Sequence, residues 1–338
     1  MFNENENGAR MTKEEFFDAL EVRIYKEFPD YELRRQDVPK SNGVKTCLVV
    51  RDPKCEVAPS LRLDDYYAEY EKASDCDAEL ERISNGVADC VRRAFTDSLE
   101  CNVVGNAMDA MANWRNAVRC SLVIKDGNDR FLSDMPFKEF LDMAKIYYIA
   151  VDDLVEGHLS RITITNEHLA SIGCTLDELD EAAMANTIKY NPAEIDSMSK
   201  VLAGLMGVSE EEFTAIYGVM DLPMYVVSNQ SKCDGAAVIM YPEVRNRICD
   251  ELGSDAYYLL PSSRHEVICV PARVGHDVGA LQRMVHQINA AEVPPEDLLS
   301  ENVYYYERGK ELRICIPEPD IDEAEDASFE EVLDIATA

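Results

Sequence analysis

The stretch Ala256–Pro271, with the sequence AYYLLPSSRHEVICVP, decides the fold class. It contains two mainly apolar segments, 256–261 and 265–271, whose length and content of Tyr, Val, Ile and Leu predict β-strands. Only a few polar residues separate the two segments. Antiparallel strands can be joined by so short a connection, whereas parallel strands need a crossover of a dozen or more residues. The stretch therefore predicts an antiparallel hairpin.

The segments around this hairpin continue the alternation of strands and helices. Strands are predicted at 224–228 and 236–241, and helices at 243–252 and 277–290, where apolar residues recur at helical spacing. Strand pairs with short connections are typical of antiparallel sheets covered by helices. We therefore expect an α+β fold with mainly antiparallel sheets, and not a doubly wound parallel sheet.

A second α+β pattern occupies the N-terminal third. Thr12 and Glu15 form a capping-box signature at the start of an amphipathic helix. The further elements predicted here are helix 12–28, strands 31–38, 44–51 and 57–63, and helix 77–99. The loop that joins strand 31–38 to strand 44–51 ends in Asn42-Gly43, a dipeptide that favours a hairpin turn.

The middle of the chain has a less regular pattern. Thr175 and Glu178 form another capping box at the start of a helix, and Ser209 is placed to cap a later one. The other elements predicted here are strands 118–125, 146–151 and 161–165, a short helix after Pro136, and helical stretches 193–206 and 209–217.

A chain of 338 residues is long enough for two domains or one elaborate domain. We expect a disordered leader at 1–10, an N-terminal α+β unit at 11–115 and a C-terminal α+β unit at 116–316. Residues 317–338 form an acidic tail that is either disordered or a short amphipathic helix.

The charge balance is strongly acidic, with 33 Lys and Arg against 65 Asp and Glu and a net charge of −32. Direct binding to nucleic acid is disfavoured because it requires cations that displace condensed counterions. Complementary charge instead favours association with a basic protein partner. One version of this hypothesis is mimicry of nucleic acid, with carboxylates in the positions of phosphates.

The eleven cysteines are odd in number and form no C-x-x-C pair, which argues against a disulfide framework and a structural zinc site. Packing in the core is the expected role of most of them. The chain begins without a signal-peptide pattern, and no apolar run is long enough to span a membrane. These features predict a cytoplasmic protein without membrane contact.

The polar connection Ser262-Ser263-Arg264-His265-Glu266 is the candidate site. His265 could act as an acid or base, Ser262 or Ser263 as hydroxyl donor or nucleophile, and Arg264 as a clamp for an anion. Glu266 adds a carboxylate for binding. No third group that would orient the imidazole is identifiable, and Ser-Ser also serves a turn without any function.

Two adjacent carboxylates, Asp64 and Asp65, could share a proton or bind a hard cation. Adjacent acids are more often solvated loop residues. The sequence contains none of the common spacings for a metal site, a phosphate-binding loop or a hydrolase nucleophile, so no metal and no cofactor are predicted.

The segment Leu260–Val267, preceded by Leu252–Asp255, resembles a bacterial family catalogued only as a domain of unknown function. Members of that family share a Leu-Pro-Ser-Ser-x-His-Glu core. Further points of similarity are Leu63–Tyr67, Pro136–Asp142 and Thr165–Glu167. The resemblance covers about residues 12 to 308. It implies a cytoplasmic bacterial setting and a shared architecture, but no activity.

Two functional hypotheses follow from the sequence. The first is a non-enzymatic interaction or binding protein with a basic partner. The alternative is a small-molecule-binding domain or an enzyme centred on the Ser262-Ser263-Arg264-His265 cluster, which leaves a small-molecule ligand open. A perturbed and accessible His265 in a concave site would favour the alternative.

Overall fold

A computed structural model describes residues 10–54, 58–100, 103–151, 160–218, 224–261, 263–274 and 277–316. The acidic tail at 317–338 and the leader up to residue 9 lie outside these ranges. The chain divides into two compact units, one of Met1–Ala117 with Ile149–Ile162 and one of Val118–Tyr148 with Thr163–Ala338. Helices combined with antiparallel sheets confirm the α+β class.

The first unit packs helices on a small sheet. Its elements are α1 (Lys13–Glu27), β1 (Glu32–Lys40), β2 (Gly43–Arg51), β3 (Ser60–Arg62), α2 (Leu63–Lys72), α3 (Cys76–Glu100), α4 (Val103–Ala112) and α5 (Trp114–Ala117). The strands form an antiparallel sheet in the order β1-β2-β3, with Asn42 in the left-handed conformation at the β1–β2 turn. Phe16, Leu48, Tyr70 and Val87 belong to the core of this unit.

A four-stranded sheet follows along the chain, with the strand order β4-β6-β5 and with β7 paired to β6. Its elements are β4 (Val118–Ile124), α6 (Asp129–Leu132), β5 (Phe137–Phe140), β6 (Met143–Val151) and β7 (Ser160–Thr163). The helices α7 (Asn166–Ile172) and α8 (Leu176–Tyr190) come next.

The second unit is built on a six-stranded antiparallel sheet. The elements in and around this sheet are β8 (Ala193–Ser197), α9 (Met198–Met206), α10 (Glu210–Tyr217), β9 (Tyr225–Asn229), α11 (Pro242–Leu252), β10 (Ala256–Pro261), β11 (Val267–Pro271), α12 (Val278–Ala291), β12 (Tyr304–Glu307) and β13 (Arg313–Ile314). The strand order is β13-β12-β10-β11-β9-β8. The predicted hairpin β10–β11 therefore lies at the centre of this sheet, and Leu260, Val270, Leu281 and Val285 form part of the core beside it.

The capping signatures read from the sequence are confirmed. Thr12, Thr175 and Ser209 each accept a hydrogen bond from the backbone N–H three residues later, and the glutamate there bonds back to the cap. These contacts satisfy backbone donors that the first helical turn leaves unpaired. They are local, so the sequence alone indicates them.

The short helix predicted after Pro136 is wrong, because residues 137–140 form strand β5. Phe137 pairs with Ile146 and Phe140 with Met143, and Leu141 in the left-handed conformation closes the turn. The i, i+3 spacing of the two phenylalanines fits a helix, but pairing with the buried strand β6 overrides this local pattern.

Two further predictions need correction. The helical stretch predicted at 193–206 begins as strand β8, and α9 starts only at Met198, where Ser197 caps it. The strand predicted at 236–241 is a 3-10 helix, Gly235–Met240, whose residues are all buried. A short, continuously apolar run is compatible with a buried strand or a buried helix, so its period does not distinguish them.

Asp142 connects distant segments of the second unit. Its carboxylate accepts hydrogen bonds from the hydroxyls of Tyr304 at 2.5 Å and Ser300 at 2.7 Å and from the amide of Asn302 at 2.9 Å. The donors follow Asp142 in the sequence by about 160 residues. This carboxylate is therefore a structural contact between the β5–β6 turn and the segment before β12.

Asp180 on α8 forms a second polar cluster in this unit. It pairs with Lys145 and with Lys138, whose Nζ is 3.0 Å away, and it accepts a hydrogen bond from the Tyr147 hydroxyl at 3.0 Å. Burial acts to raise the pKa of Asp180, but the hydrogen bonds from Lys145, Lys138 and Tyr147 outweigh burial, and its pKa is lowered. The cluster joins α8 to β5 and β6.

No helix among the described residues is both long enough and apolar enough to cross a membrane.

Candidate functional site

The antiparallel pairing of β9 with β11 brings two polar segments together. Val227, in the middle of β9, pairs with Val267, the first residue of β11. The loop that follows β9 therefore lies beside the connection that precedes β11. This places Cys233 and Asp234 next to the candidate residues at 263–266.

Asn229 shapes the loop after β9. Its side-chain N–H donates to the Cys233 carbonyl at 2.7 Å, and its side-chain oxygen accepts from the Ser231 hydroxyl and the Cys233 backbone N–H. Lys232 and Asp234 adopt left-handed backbone conformations. The result is a tight loop in which Cys233 is exposed and Asp234 is buried.

Gly235 allows the loop to approach the hairpin closely. A Cβ atom at this position would lie 2.1 Å from the Ser228 hydroxyl oxygen, 2.3 Å from the His265 carbonyl oxygen and 2.8 Å from the Asn229 nitrogen. Two bonds hold the segments together at this point. The Ser228 hydroxyl donates to the His265 carbonyl at 2.7 Å, and the Ala236 N–H donates to the Arg264 carbonyl at 3.1 Å.

Ser263 organises the turn between β10 and β11. Its hydroxyl accepts from the His265 N–H at 3.0 Å and donates to the Glu266 carboxylate at 2.9 Å, and its own N–H donates to the Glu266 carbonyl at 3.2 Å. The side chain is 7% exposed. Its hydroxyl thus makes the contacts of a turn residue. Ser262 lies outside the described residues.

Arg264 pairs with the buried carboxylate of Asp234. Its Nε and one terminal nitrogen lie 2.7 and 2.6 Å from the same Asp234 oxygen, and the two side chains are 13% and 4% exposed. The Arg264 backbone N–H also donates to the Asp297 carbonyl at 2.8 Å. The guanidinium, predicted to clamp an anionic ligand, here binds a carboxylate of the protein itself.

His265 lies between two other functional groups. Its Nδ1 accepts the Asp234 backbone N–H at 3.2 Å, and its Nε2 lies 3.1 Å from the Asp297 carboxylate. An acceptor role for Nδ1 assigns the proton of the neutral ring to Nε2, which then donates to Asp297. The Cys233 sulfur also lies within 4.8 Å of an imidazole nitrogen.

These contacts raise the pKa of His265 above its ordinary value. The hydrogen bond with the Cys233 side chain is the largest cause, partial burial opposes it, and the carboxylates of Asp297 and Asp234 add to the increase. The two carboxylates therefore favour the charged form of the imidazole, whereas the Asp234 N–H at Nδ1 favours the neutral form. A base in such a setting can accept a proton and remain stable as a cation.

The arrangement supplies the third group that the sequence does not reveal. Asp297 belongs to the short 3-10 helix Pro295–Asp297 and orients the imidazole, while Cys233 supplies an exposed thiol. A nucleophile, a base and a group that orients the base are the signature of nucleophilic catalysis. The ligand atoms of Cys233, Asp234 and His265 also all lie within 4.8 Å of one another, which could hold a metal ion.

Comparison with known proteins places these residues in a family. A model described as a family of unknown function, DUF5688, matches residues 13–308. The chain belongs to this family. No curated protein matches the chain, and no solved structure matches it. The predicted resemblance to an uncharacterised family is thus confirmed, and the DUF5688 region contains Cys233, His265 and Asp297.

The DUF5688 region also contains Asp64 and Asp65, in the first turn of α2 in the first unit. Asp64 accepts the Thr46 N–H at 2.5 Å and pairs with Lys13, and Asp65 pairs with basic side chains. The partners of Asp65 are Lys45 at 3.2 Å and Arg62 at 2.9 Å. Both carboxylates therefore take part in ion pairs within the first unit.

The sequence alone did not identify three residues of the site, namely Cys233, Asp234 and Asp297. A signal exists for Cys233, because it stands in the polar segment Ser231–Gly235 and not in an apolar run. Asp297 carries no such signal in so acidic a chain. Only the pairing of strands and the position of the 3-10 helix bring it to His265.

Proposed function

We propose that the protein is an enzyme that uses Cys233 as a nucleophile and His265 as its base. Asp297 is the residue that positions the base. One observation carries the proposal: a nitrogen of the His265 imidazole lies within 4.8 Å of the sulfur of the exposed Cys233, and its Nε2 lies 3.1 Å from the Asp297 carboxylate. This is the sequence-derived alternative of an enzyme centred on His265, with a thiol in place of a serine hydroxyl.

The reaction class that fits these groups is acyl transfer. The Asp234 N–H contact at Nδ1 of His265 opens, and Nδ1 takes the thiol proton. The sulfur then attacks the carbonyl carbon of an ester, thioester or amide. The leaving group departs with the proton from the imidazolium, and a thioester forms on Cys233. Water then attacks this thioester while His265 again accepts and returns a proton, which releases the acid and regenerates the thiol.

The geometry favours the thiol over Ser263 as the nucleophile. The Ser263 hydroxyl contacts Glu266 and the backbone of His265 and is almost fully buried. Cys233 is exposed, so a substrate can reach its sulfur. A nucleophile must meet both its base and its substrate, and Cys233 meets the two conditions together.

We also propose that the protein works in a bacterial cytoplasm, with the Leu260–Glu266 segment as a marker of its family. No disulfide joins the nine cysteines that the structure describes. Thiol chemistry of this kind needs a compartment that keeps cysteines reduced.

The experiment that tests the thiol site measures the alkylation rate of each cysteine. The reduced full-length protein is treated with iodoacetamide at neutral pH, and labelled peptides are quantified by mass spectrometry. We expect Cys233 to react faster than the half-buried Cys174. The reaction at Cys233 should slow about tenfold in His265→Gln, because the thiolate is the reactive form.

A matched control is available in the same unit. His286 lies 3.8 Å from Glu301 in an exposed pair, so His286→Gln removes an imidazole beside a carboxylate without touching the site. Alkylation of Cys233 should be unchanged in this variant. Equal rates at Cys233 in wild type and His265→Gln would overturn the proposal.

A second measurement tests the reaction class. The protein is incubated with small aryl esters and thioesters, and the intact mass is followed in time. We expect the mass of one acyl group to appear on Cys233 and then to disappear by hydrolysis. Asp297→Asn should slow acylation while a Cys174→Ala control acylates at the wild-type rate. Acylation that persists in Cys233→Ala would refute the assignment.

A second function is proposed on a separate observation, the net charge of −32. Three consecutive acids, Glu210–Glu212, also open helix α10. These charges support association with a basic protein partner that weakens as salt rises. A pull-down from host lysate at low and moderate salt tests it, and deletion of 318–338 locates the contact. Retention of the same proteins at both salt concentrations would contradict this proposal.

A further inference from the structure

We infer that Cys233, Asp234 and His265 form a binding site for a soft divalent cation of the zinc class. Among the residues that the structure describes, this is the one group of three metal-ligating side chains with ligand atoms close together. Cation binding does not depend on the proposed function. The effect of the cation on activity does rest on the proposed function, since a cation bound there would block the nucleophilic thiol of Cys233.

The donor set matches this class of cation. A thiolate and an imidazole are soft and borderline ligands, which suit zinc better than magnesium or calcium. The Cys233 thiolate and the carboxylates of Asp234 and Asp297 carry three negative charges, and the Arg264 guanidinium on Asp234 offsets one of them. The two that remain balance a divalent cation. The neutral imidazole of His265 completes three protein ligands.

The contacts around the ligands are those of a supporting shell. His265 directs Nδ1 towards the loop with Cys233 and Asp234, and its Nε2 faces Asp297 at 3.1 Å. A histidine that binds a metal usually donates its other N–H to such a carboxylate. Arg264 contacts the Oδ1 oxygen of Asp234 and holds this carboxylate in place.

The geometry requires only a small adjustment. Zinc bonds of about 2.0–2.3 Å place tetrahedral ligand atoms roughly 3.3–3.8 Å apart. The present atoms lie within 4.8 Å of one another, so the largest separation shrinks by about 1 Å on binding. Cys233 is exposed and can supply this movement by rotating its side chain. The Asp234 N–H contact to Nδ1, at 3.2 Å, would give way to the cation.

Three protein ligands leave one tetrahedral position open. Because Cys233 lies at the surface, this position faces solvent and is accessible to water or to a small anion. Zinc sites with three protein ligands and an open fourth position are typical of exchangeable or catalytic sites, whereas structural sites use four. The inferred site is therefore one where the cation can be gained and lost.

The test uses the reduced, metal-free full-length protein. Zn²⁺ is titrated in the presence of a chromophoric chelator, and Co²⁺ is used as an optical probe of thiolate ligation. We expect one equivalent of Zn²⁺ and a thiolate-to-cobalt charge-transfer band. Cys233→Ala should abolish the band and weaken Zn²⁺ binding about 100-fold, and Asp297→Asn should weaken it about tenfold. Cys174→Ala is the matched control and should bind as wild type does.

A second readout does not depend on the folding of a variant. In the wild-type protein, Zn²⁺ should slow the alkylation of Cys233 and leave that of Cys174 unchanged. Equal Zn²⁺ affinity in wild type and Cys233→Ala, or no protection of Cys233, would overturn the inference.

The two proposals can fail separately. Protection by Zn²⁺ together with unchanged alkylation in His265→Gln would support the cation site and refute the nucleophile. Slow alkylation in His265→Gln without Zn²⁺ protection would support the nucleophile and refute the cation site.

Discussion

Replacing Gly235 by alanine should destabilise the second unit, because the new Cβ has no room. It would meet the Ser228 hydroxyl oxygen at 2.1 Å, the His265 carbonyl oxygen at 2.3 Å and the Asn229 nitrogen at 2.8 Å. Two of these three atoms belong to the backbone, so a side-chain rotation cannot relieve the overlap. The loop and the hairpin must move apart.

The magnitude follows from two contributions. Overpacking a well-packed site costs about 1–3 kcal/mol. Rotation of Ser228 away from the Cβ also breaks its bond to the His265 carbonyl, which contributes about 1 kcal/mol. We therefore expect the free energy of unfolding to fall by roughly 2–4 kcal/mol, with a melting temperature lower by about 4–16 °C for a unit of this size.

Urea unfolding followed by circular dichroism measures this change. Gly204→Ala is the control, because Gly204 lies in α9 and a Cβ there would meet nothing within 4 Å. Alanine should stabilise this helix by about 0.5–1 kcal/mol. If Gly235→Ala unfolds within about 0.5 kcal/mol of wild type, the steric argument is refuted.

Three further substitutions test other contacts of the second unit. Asp180→Asn should cost about 2 kcal/mol at neutral pH, because it leaves Lys145 without its carboxylate. The pKa of Asp180 is lowered in the folded protein, so its carboxylate stabilises the fold at pH values above its unfolded pKa. This stabilisation is lost as pH falls through the folded pKa. The variant lacks the carboxylate and should therefore lose less stability in acid, as measured by urea unfolding at several pH values. Tyr304→Phe removes the hydroxyl that donates to Asp142 at 2.5 Å and should lower the free energy of unfolding by about 1.5–3 kcal/mol. An unchanged free energy of unfolding would show that this hydrogen bond contributes nothing to stability. Asp277→Ala removes the side chain that caps α12 and should cost about 1 kcal/mol, measured by thermal unfolding, and a smaller loss in Asp277→Asn would confirm that the cap is responsible.

The sequence by itself determined the α+β class and most helices of the described chain. Helix starts depend on contacts within one turn, as at Thr12 and Thr175, so their residues are neighbours in the sequence. The β10–β11 hairpin is equally local, because its short connection leaves only an antiparallel pairing. In each case the deciding interaction spans few residues.

Tertiary structure determined the conformation of those segments whose local sequence pattern is compatible with both a helix and a strand. Phe137–Phe140 became a strand through pairing with β6. Gly235–Met240 became a 3-10 helix whose residues are all buried and whose first residue lies against the hairpin. Both runs are too short for their period to distinguish a strand from a helix, so contacts with distant segments settle their conformation.

The candidate site shows the same division. His265 stands out in the sequence because it lies in a polar connection between two apolar strands. Its partners Cys233 and Asp297 stand about thirty residues away on either side, and no spacing rule links such distant side chains. They reach the imidazole because β9 pairs antiparallel with β11 and because the Asp297 carbonyl accepts the Arg264 N–H. Chemical character could be read along the chain, whereas proximity came from long-range strand pairing and packing.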